Sequence, residues 1–505
     1  MFRAARFVLL GLFVLSVPLR AAVFTVTKTA DTLDGACDHD CSLREAVTAA
    51  NARSGRDAVV VPAGVYALTR EGRDDSSAAG DLDVLDHLAI LGAGAKTTVL
   101  DGGGLDRVLH GVTAARLEVH GVTIRNGRAS GTQGDGGKGG DGGGILGVYV
   151  TLVGCHVTGN RAARYGGGVF ASEINASATT FSDNEAAFGG ALANGGVLRL
   201  SNVTVSGNRA TQAGGGLFVT PSDQVLTQVT ITGNQAPDMG GVWLSPRETC
   251  PSGVGFCPPM DFSLSRSILA GNLSTSPSRS PGHPDCPLYL TPGPNSFNVF
   301  GVNNDDCYPG PTDLAGTPAA PLDPRLTPLG DHGGPVPTHL PLPDSPAVDL
   351  IPPARCTPAD QRGRPRPADG DGDGTSACDA GAVERGPACQ PDAETLCLGG
   401  GAGERFRVRV RWTAQGQPGA GGAVPLTADT GAFWFFDPDN LELTIKVLDG
   451  CNLNGRFWVF LSGLTDVGVE LTVEDTATGE TWTHTQTAGT ALQPRLDTNA
   501  LEVCP

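Results

Sequence analysis

The sequence feature that most constrains the fold is a repeat of about 24 residues, which runs from about residue 110 to residue 272. Successive copies are marked by an asparagine that recurs at intervals of 24, 24, 26 and 38 residues, at Asn160, Asn184, Asn208, Asn234 and Asn272. A unit of this length cannot bury its own apolar face, so the copies must stack to form a core. The chain is therefore predicted to form a solenoid.

Each copy has the same internal pattern. Apolar or small residues stand three, five, eight and ten positions before the asparagine, as Val205, Val203, Leu200 and Leu198 do before Asn208. The spacing of two within each pair is that of a strand with one inward face, and the step of three between the pairs marks a bend. A Gly-Gly turn and another short strand follow, so each copy predicts one coil of about three strands. The predicted fold is mostly β, a right-handed parallel β-helix.

Two columns of the repeat have a chemical and a structural interpretation. The asparagines could form a row of ligands or a hydrogen-bonded corner ladder, and the ladder is favoured because Asn tolerates the turn backbone. Cys155 stands in an inward column where other copies carry Val, Thr or Ser, so a small buried thiol is expected there.

Residues 1–22 have the pattern of a secretory signal peptide. Arg3 and Arg6 precede an apolar run, Phe7–Val17, that is too short to span a membrane. No later stretch could cross a bilayer, so the mature chain is expected to be secreted, in the extracellular space or at a bacterial cell surface. Removal of three arginines takes the net charge from −18 to −21 (−18 − 3), which disfavours nucleic acid as a partner.

Thirteen cysteines in an exported chain predict disulfides. The pairing cannot be read from a sequence, and spacing only suggests Cys37/Cys41, Cys250/Cys257, Cys286/Cys307, Cys356/Cys378 and Cys451/Cys504. Cys389 and Cys397 fall in the last domain, with their pairing left open.

A short amphipathic helix is predicted directly after Cys41. Ser42 and Glu45 have the spacing of a capping box, in which each side chain accepts a hydrogen bond from the other residue's backbone. One face of the helix is apolar and consists of Leu43, Ala46, Val47 and Ala50. Because a β-helix exposes strand edges at its ends, this helix is predicted to cover the N-terminal end of the stack.

Three stretches resemble known families of exported bacterial proteins. The run Cys41–Ala46, with its approach Phe24–Asp31, resembles the motif that names the CSLREA domain, found at the start of exported β-helix proteins. Residues 322–384 resemble the choice-of-anchor Q region that often follows such helices and precedes varied surface anchors. Phe181–Asn184 followed by Gly189–Leu192 resembles the repeat of polymorphic outer membrane proteins, which are adhesins. The resemblance implies a pectin-lyase-like β-helix near a cell surface.

The pattern changes after residue 386. Apolar and polar residues alternate strictly in Arg405–Trp412 and Leu441–Val447, as in strands with one face in water. A C-terminal β-sandwich is therefore predicted for residues 387–505. Before it, the prediction places a capped β-helix at 23–272, and a Pro-rich insert with the choice-of-anchor-Q-like region at 273–386 that completes the helix.

Polysaccharide lyases and hydrolases often have a β-helix fold, but their motifs are incomplete here. Val84–His87 echoes a lyase stretch and lacks its Trp, and Asp305–Asp306 resembles a hydrolase acid pair without the accompanying Gly-His-Gly. Catalysis needs acids and bases that converge on one face, and the coils from 150 to 245 carry few. No catalytic or cofactor-binding residue is therefore assigned.

One acidic segment has the pattern of a cation-binding turn. Asp369, Asp371 and Asp373 alternate with glycines and would place carboxylates around a sharp turn, which suits Ca²⁺. Ala380 stands where an EF-hand loop carries its twelfth-position Glu, so further ligands would have to come from elsewhere. The alternative is a solvated acidic turn without an ion.

The capped stack, the export signal and the missing catalytic motifs favour a non-catalytic extracellular protein that adheres to a cell surface or binds a glycan. The alternatives are a polysaccharide lyase or glycoside hydrolase of the pectin-lyase-like fold, and a structural surface component. The aromatic run Phe433–Phe436 could be a sugar platform, although such a run more often belongs to a core.

Overall fold

The computed structural model of the chain describes residues 21–131, 139–220, 222–244, 262–276, 285, 296–303, 309–387, 389, 391–399, 405–476 and 478–504. The predicted signal peptide falls almost wholly outside these residues, as do Asp305 and Asp306 of the acid pair. Among the described residues, no helix is long and apolar enough to cross a membrane.

The described chain is mostly β, with two short α-helices, α1 (Leu43–Asn51) and α2 (Cys451–Asn454), and a 3₁₀ turn at Pro353–Arg355. The strands before residue 320 are β1 Val23–Thr25, β2 Arg56–Val61, β3 Gly64–Ala67, β4 Leu82–Val84, β5 His87–Gly92, β6 Thr98–Asp101, β7 Leu109–Gly111, β8 Arg116–His120, β9 Thr123–Arg125, β10 Arg128–Ala129, β11 Ile145–Val153, β12 His156–Thr158, β13 Arg161–Ala162, β14 Val169–Ser182, β15 Glu185–Phe188, β16 Leu192–Asn194, β17 Leu198–Ser206, β18 Arg209–Ala213, β19 Leu217–Val219, β20 Gln224–Thr232, β21 Gln235–Ala236, β22 Val242–Leu244, β23 Phe262–Ser265, β24 Ile268–Leu269, β25 Leu273–Ser274, β26 Val299–Phe300 and β27 Leu314–Ala315. The later strands are β28 Thr395–Leu398, β29 Phe406–Ala414, β30 Gln417–Ala420, β31 Gly422–Thr427, β32 Thr430–Trp434, β33 Leu441–Asp449, β34 Phe457–Gly463, β35 Gly468–Asp475, β36 Thr481–Gln486 and β37 Arg495–Leu501.

The strands of each coil pair in parallel with those of the next coil, as the repeat predicts. Leu152 of β11 pairs with Ala176 of β14, Ala176 pairs with Leu200 of β17, and Leu200 pairs with Leu226 of β20. Short strands at the corners form a second parallel sheet in the order β10-β13-β15-β18-β21-β25. The register of the pairing repeats the sequence interval, which confirms long parallel sheets and a β-helix-like fold.

The core of the stack is made by the inward columns that the sequence pattern identifies. The column five positions before the asparagine is fully buried in every coil, and its members are Val122, Cys155, Thr179, Val203, Val229 and Ser267. Burial raises the pKa of the Cys155 thiol to about 11, so this side chain is a small, neutral core residue.

The chain beyond β27 lies against the outer side of the coils. A column of threonines in register on β14, β17 and β20 binds it: Thr180 donates to Pro337 O (2.6 Å), Thr204 donates to Gln361 Oε1 (2.6 Å), and Thr230 accepts from Ala382 N (3.0 Å). Within this segment, the fully buried pair Asp360–Arg362 forms an ion pair of 2.8 Å. The choice-of-anchor-Q-like region thus covers one face of the stack.

The last part of the chain forms two five-stranded antiparallel sheets. One has the order β28-β29-β35-β36, with β30 paired to the later part of β29 on the same edge as β28, and the other has the order β31-β32-β33-β34-β37. Side chains of both sheets belong to one apolar cluster, in which the rings of Phe406 and Phe457 lie 4.8 Å apart. Phe433 and Phe435 are buried in this cluster, whereas Phe436 is exposed.

Four disulfides are present among the described cysteines: Cys37–Cys41, Cys356–Cys378, Cys389–Cys397 and Cys451–Cys504. Three of these are pairs that spacing suggests, and the pairing of Cys389 with Cys397 is one that the sequence left open. Cys250, Cys257, Cys286 and Cys307 lie outside the described residues.

Candidate functional site

One outward column of side chains runs along the face formed by the short strands after the Gly-Gly turns. Strand pairing places its members in register from coil to coil, and they are Asp83, His110, Leu146, Phe170, Ala193, Phe218 and Trp243. The first two are ionisable and three of the later ones are aromatic. The column therefore has a polar half towards the N-terminal coils and an aromatic half towards the C-terminal coils.

The aromatic half is completed by two rings from the neighbouring corner. Tyr165 lies 5.7 Å from Phe170, 5.3 Å from Phe188 and 5.5 Å from Phe218, measured between ring centroids. Phe218 stacks on Trp243 at 4.6 Å with the ring planes 9° apart. We call these five residues the aromatic row. Phe218 is buried and the other four are half-buried, so the row offers ring surface to solvent.

Local sequence explains why the rings reach the same face. Gly216 and Gly241 end the Gly-Gly turns, an inward apolar residue follows each, and the next residue must point outward because side chains alternate along a strand. Phe218 and Trp243 occupy that outward position. In the coil between Phe170 and Phe218 the position holds Ala193, whose small side chain leaves room for the rings on either side.

The polar half borders a cleft of about 640 Å³, which we call the acidic cleft. Its lining includes four carboxylates, two arginines and one histidine: Asp74, Asp75, Asp81, Asp106, Arg73, Arg107 and His110. Asp83 lies directly behind His110 and is fully buried. Carboxylates therefore outnumber the fixed positive charges around the cleft.

His110 and Asp83 are the centre of the acidic cleft. His110 Nδ1 lies 3.0 Å from Asp83 Oδ1 and 3.7 Å from Asp75 Oδ1. The other oxygen of Asp83 accepts from the backbone of Ser77 at 2.8 Å. Burial raises the pKa of Asp83, and its hydrogen bond with His110 opposes that rise.

Asp81 is a buried carboxyl of the cleft with a strongly raised pKa. Burial raises its pKa to about 7, and the negative charges of Asp83 and Asp106 add to the rise. Within the described part of the chain its Oδ2 has no hydrogen-bond partner, and Arg107 Nη1 lies 3.6 Å away. The cleft thus holds a carboxyl that is only partly compensated.

Arg44 holds the loop that carries these acids. Its guanidinium is fully buried, donates to both oxygens of Asp31 (2.6 and 3.1 Å), and also donates to the carbonyls of Ser77, Gly80 and Asp81 at 3.0, 2.8 and 3.1 Å. Asp31 and Arg44 both belong to the stretch that resembles the CSLREA motif. That stretch therefore positions the acidic cleft.

A chain of polar contacts joins the cleft to the aromatic row. Arg107 donates to the carbonyl of Asp141 (2.9 Å), and the Asp141 carboxylate accepts two hydrogen bonds from Arg164 (2.8 and 2.5 Å). The Arg164 guanidinium lies 5.3 Å from the ring centroid of Tyr165. The hydrogen bond with Asp141 raises the pKa of Arg164, so this charge is fixed at the junction of the two halves.

At the predicted calcium turn, the three carboxylates that lie close together are not the three that the sequence predicts. Oxygens of Asp369 and Asp371 lie within 4.8 Å of one from Asp349, whereas Asp373 is not in this group and accepts from Thr375 N. Asp349 accepts from the backbone of residues 370 and 371, and Asp369 from that of residues 372 and 374. Backbone amides thus hydrogen-bond to these carboxylates, and both interpretations of the turn, with and without Ca²⁺, stay predictions.

The asparagine column and the capping box use their polar groups internally. Each asparagine side chain from Asn160 to Asn234 donates to the next one, at 2.9 to 3.0 Å, and Asn272 donates to Asp285. Ser42 accepts from Glu45 N and Glu45 accepts from Ser42 N. These contacts are those of a structural ladder and a helix start.

Sequence reasoning missed the acidic cleft and the aromatic row. Asp83 and His110 are on different coils, and the loops between them hide their register. A usable signal for the aromatic row was present, because an aromatic residue follows the inward residue after the turn in three copies, at Phe170, Phe218 and Trp243.

Comparisons of the chain with protein-family models, with curated proteins and with solved structures find no match. A functional assignment therefore depends on the geometry of the two halves of this face.

Proposed function

We propose that this protein binds an extended extracellular glycan along the face formed by the acidic cleft and the aromatic row. The proposal is carried by one observation: the outward column that begins with Asp83 and His110 at the polar cleft continues with three aromatic rings, and two further rings from the neighbouring corner complete the aromatic row. From Asp83 to Trp243 the column makes six steps of about 4.8 Å between strands, so the face is roughly 29 Å long. A polymer that repeats its contacts along its length suits such a face.

Charge narrows the class of glycan. The cleft has more carboxylates than arginines, and the whole chain has a net charge of −18. A polyanionic glycan would be repelled at the acidic cleft, so a neutral or amino-sugar polymer is proposed. Apolar sugar faces would pack on the rings of Tyr165 and Trp243, and hydroxyl or amino groups would bond the carboxylates of the cleft.

The test is affinity electrophoresis and calorimetry of the purified full chain against a panel of neutral, amino-sugar and uronate polysaccharides. Trp243→Ala should weaken binding to the best neutral or amino-sugar ligand by about tenfold, since a stacked aromatic contact contributes about 1–2 kcal/mol. Trp458→Ala is the matched control, because Trp458 is also half-buried and stacks on a phenylalanine, Phe460, at 6.1 Å. It should leave binding unchanged.

Three results would contradict the proposal. One is no binding to any polysaccharide of the panel, and another is equal loss in Trp243→Ala and Trp458→Ala. The third is release of reducing or unsaturated ends from a bound polymer, which would assign the alternative of a polysaccharide hydrolase or lyase.

We also infer that α1 covers the N-terminal end of the stack. The proposal is supported by the contacts of α1 with β1, β2 and β4 and by the burial of its apolar side chains Leu43, Ala46 and Val47. An uncovered first coil would expose unpaired strand edges, which favours such a cover.

We propose that the two antiparallel sheets form a sandwich and that the chain works outside the cell. Support for the sandwich is the apolar cluster that both sheets share. Support for the location is the four disulfides, which persist in oxidising compartments. The resemblance to exported proteins with CSLREA and choice-of-anchor Q regions agrees with the proposed location.

A further inference from the structure

We propose that Asp75, Asp83 and His110 bind one divalent transition-metal ion of the Zn²⁺ class at the acidic cleft. One ligand atom from each residue lies within 4.8 Å of the other two. His110 Nδ1 is 3.0 Å from Asp83 Oδ1 and 3.7 Å from Asp75 Oδ1. The site lies in the acidic cleft, the polar half of the proposed glycan-binding face, and shares no residue with the aromatic row.

Hydrogen bonding alone does not account for this arrangement. A ring nitrogen carries at most one proton, so His110 Nδ1 can donate well to one of the two carboxylates and not to both. Asp83 is the nearer one and is held from its other side by the Ser77 backbone. The Asp75 carboxylate therefore lies near the ring and beside the Asp83 carboxylate, and the two negative charges repel each other. A cation bound between these carboxylates and His110 would attract both of them.

A buried group in the same cleft independently indicates a cationic ligand. Asp81 lines the cleft, is 2% exposed, and its Oδ2 has no hydrogen-bond partner among the residues that the structure describes. Arg107 Nη1 lies 3.6 Å away, a distance too long for a hydrogen bond. Water held by a metal ion in the cleft would supply the donor that this oxygen lacks.

The donor set selects the kind of metal. An imidazole nitrogen with two carboxylates suits Zn²⁺, whereas Ca²⁺ and Mg²⁺ take oxygen ligands. With bonds of about 2.0–2.2 Å, the ligand atoms of a zinc site lie roughly 3–3.5 Å apart, close to the separations found here. Three protein ligands leave a coordination position open to the cleft, and Asp75, with a side chain 76% exposed, keeps the site accessible.

The experiment is isothermal titration of the full chain, freed of metal by EDTA dialysis, with Zn²⁺ and separately with Ca²⁺ and Mg²⁺. The parent is expected to bind Zn²⁺ at this site and the hard cations far more weakly. Asp75→Asn should reduce Zn²⁺ affinity by at least about tenfold, because it removes a ligand. His110→Gln should abolish binding at the site.

The matched control is His39→Gln, because Asp38, His39 and Asp40 form an exposed group with similar ligand spacing. It should leave the high-affinity Zn²⁺ isotherm unchanged. Asp75→Asn keeps the test valid if His110→Gln fails to fold, since Asp75 is exposed and circular dichroism can verify its fold. The absence of Zn²⁺ binding in the parent, or an isotherm that changes with His39→Gln and not with Asp75→Asn, would overturn the proposal. Glycan binding is measured separately, so its failure leaves the metal result interpretable.

Discussion

Asn184 offers a direct test of what holds the coils in register. Its Nδ2 donates to Val157 O (2.9 Å) and Asn208 Oδ1 (3.0 Å), and its Oδ1 accepts from Asn160 N and Asn160 Nδ2 (both 3.0 Å). Asn184→Ala removes all four hydrogen bonds in the middle of the asparagine ladder.

The expected cost follows from which groups are left without partners. The Asn160 N–H is buried and loses its acceptor, and a buried unsatisfied donor costs about 1–3 kcal/mol. The other lost hydrogen bonds involve groups that have further partners. Asn160 Nδ2, for example, also donates to Ile124 O (3.0 Å). With about 0.5–1 kcal/mol for each of these three, the free energy of unfolding should fall by about 2.5–6 kcal/mol.

The assay is urea unfolding under non-reducing conditions, followed by circular dichroism. Asn175→Ala is the control, because Asn175 lies on β14, the strand that precedes Asn184, is half-buried and bonds only the local Glu173 among the described hydrogen bonds. It should cost less than about 0.5 kcal/mol, as surface substitutions usually do. A loss in Asn184→Ala that equals the loss in Asn175→Ala would refute the idea that the ladder stabilises the stack.

Three other outcomes are expected. Arg44→Met should cost about 3–5 kcal/mol in thermal or urea unfolding, because it leaves the buried Asp31 carboxylate unpaired, and it should also reduce protection of the 77–81 loop in hydrogen exchange. Burial lowers the pKa of His332 to about 4 from an ordinary 6.5, so protonation favours the unfolded chain. Relative to His332→Gln, the parent should lose about 1.4 kcal/mol of unfolding free energy per pH unit as the pH falls from 6.5 towards 4. A difference between the two proteins that stays constant with pH would contradict this. Iodoacetamide at pH 8 should leave Cys155 unmodified in the folded chain and alkylate it in urea, as measured by mass spectrometry of its peptide, because burial raises the pKa of its thiol to about 11.

The sequence predicted those parts of the fold that a periodic pattern determines. Every coil buries the same positions of the repeat, so the spacing of the apolar residues identified the inward columns. Cys155 was identified as a buried residue in the same way. Ser42 and Glu45 were identifiable because a capping box is a local interaction over three residues. Cys37 and Cys41 were identifiable for the same reason, as close neighbours in an exported chain.

The candidate site could not be predicted, because it depends on register between coils of unequal length. Asp83 and His110 pair directly on β4 and β7, although 27 residues separate them (110 − 83), and the coil interval elsewhere is different. Outward residues also escape the hydrophobic pattern, so the aspartate and the histidine do not stand out; the aromatic residue that recurs after the turn is a signal for the aromatic row only. Arg44 is a further case, since its partners in the 77–81 loop become neighbours only when α1 packs on the first coil.

Two outward faces of the stack carry different side chains, and this difference indicates on which of them a ligand binds. On one face, threonines in register supply single hydroxyls at regular intervals, and residues of the later segment, such as Gln361, bond them. On the other face, the outward column carries an aspartate, a histidine and large rings, which offer charge and stacking surface. Because Arg44 ties the acidic end of that second face to α1, the segment resembling the CSLREA motif contributes both to the end of the stack and to its candidate binding site.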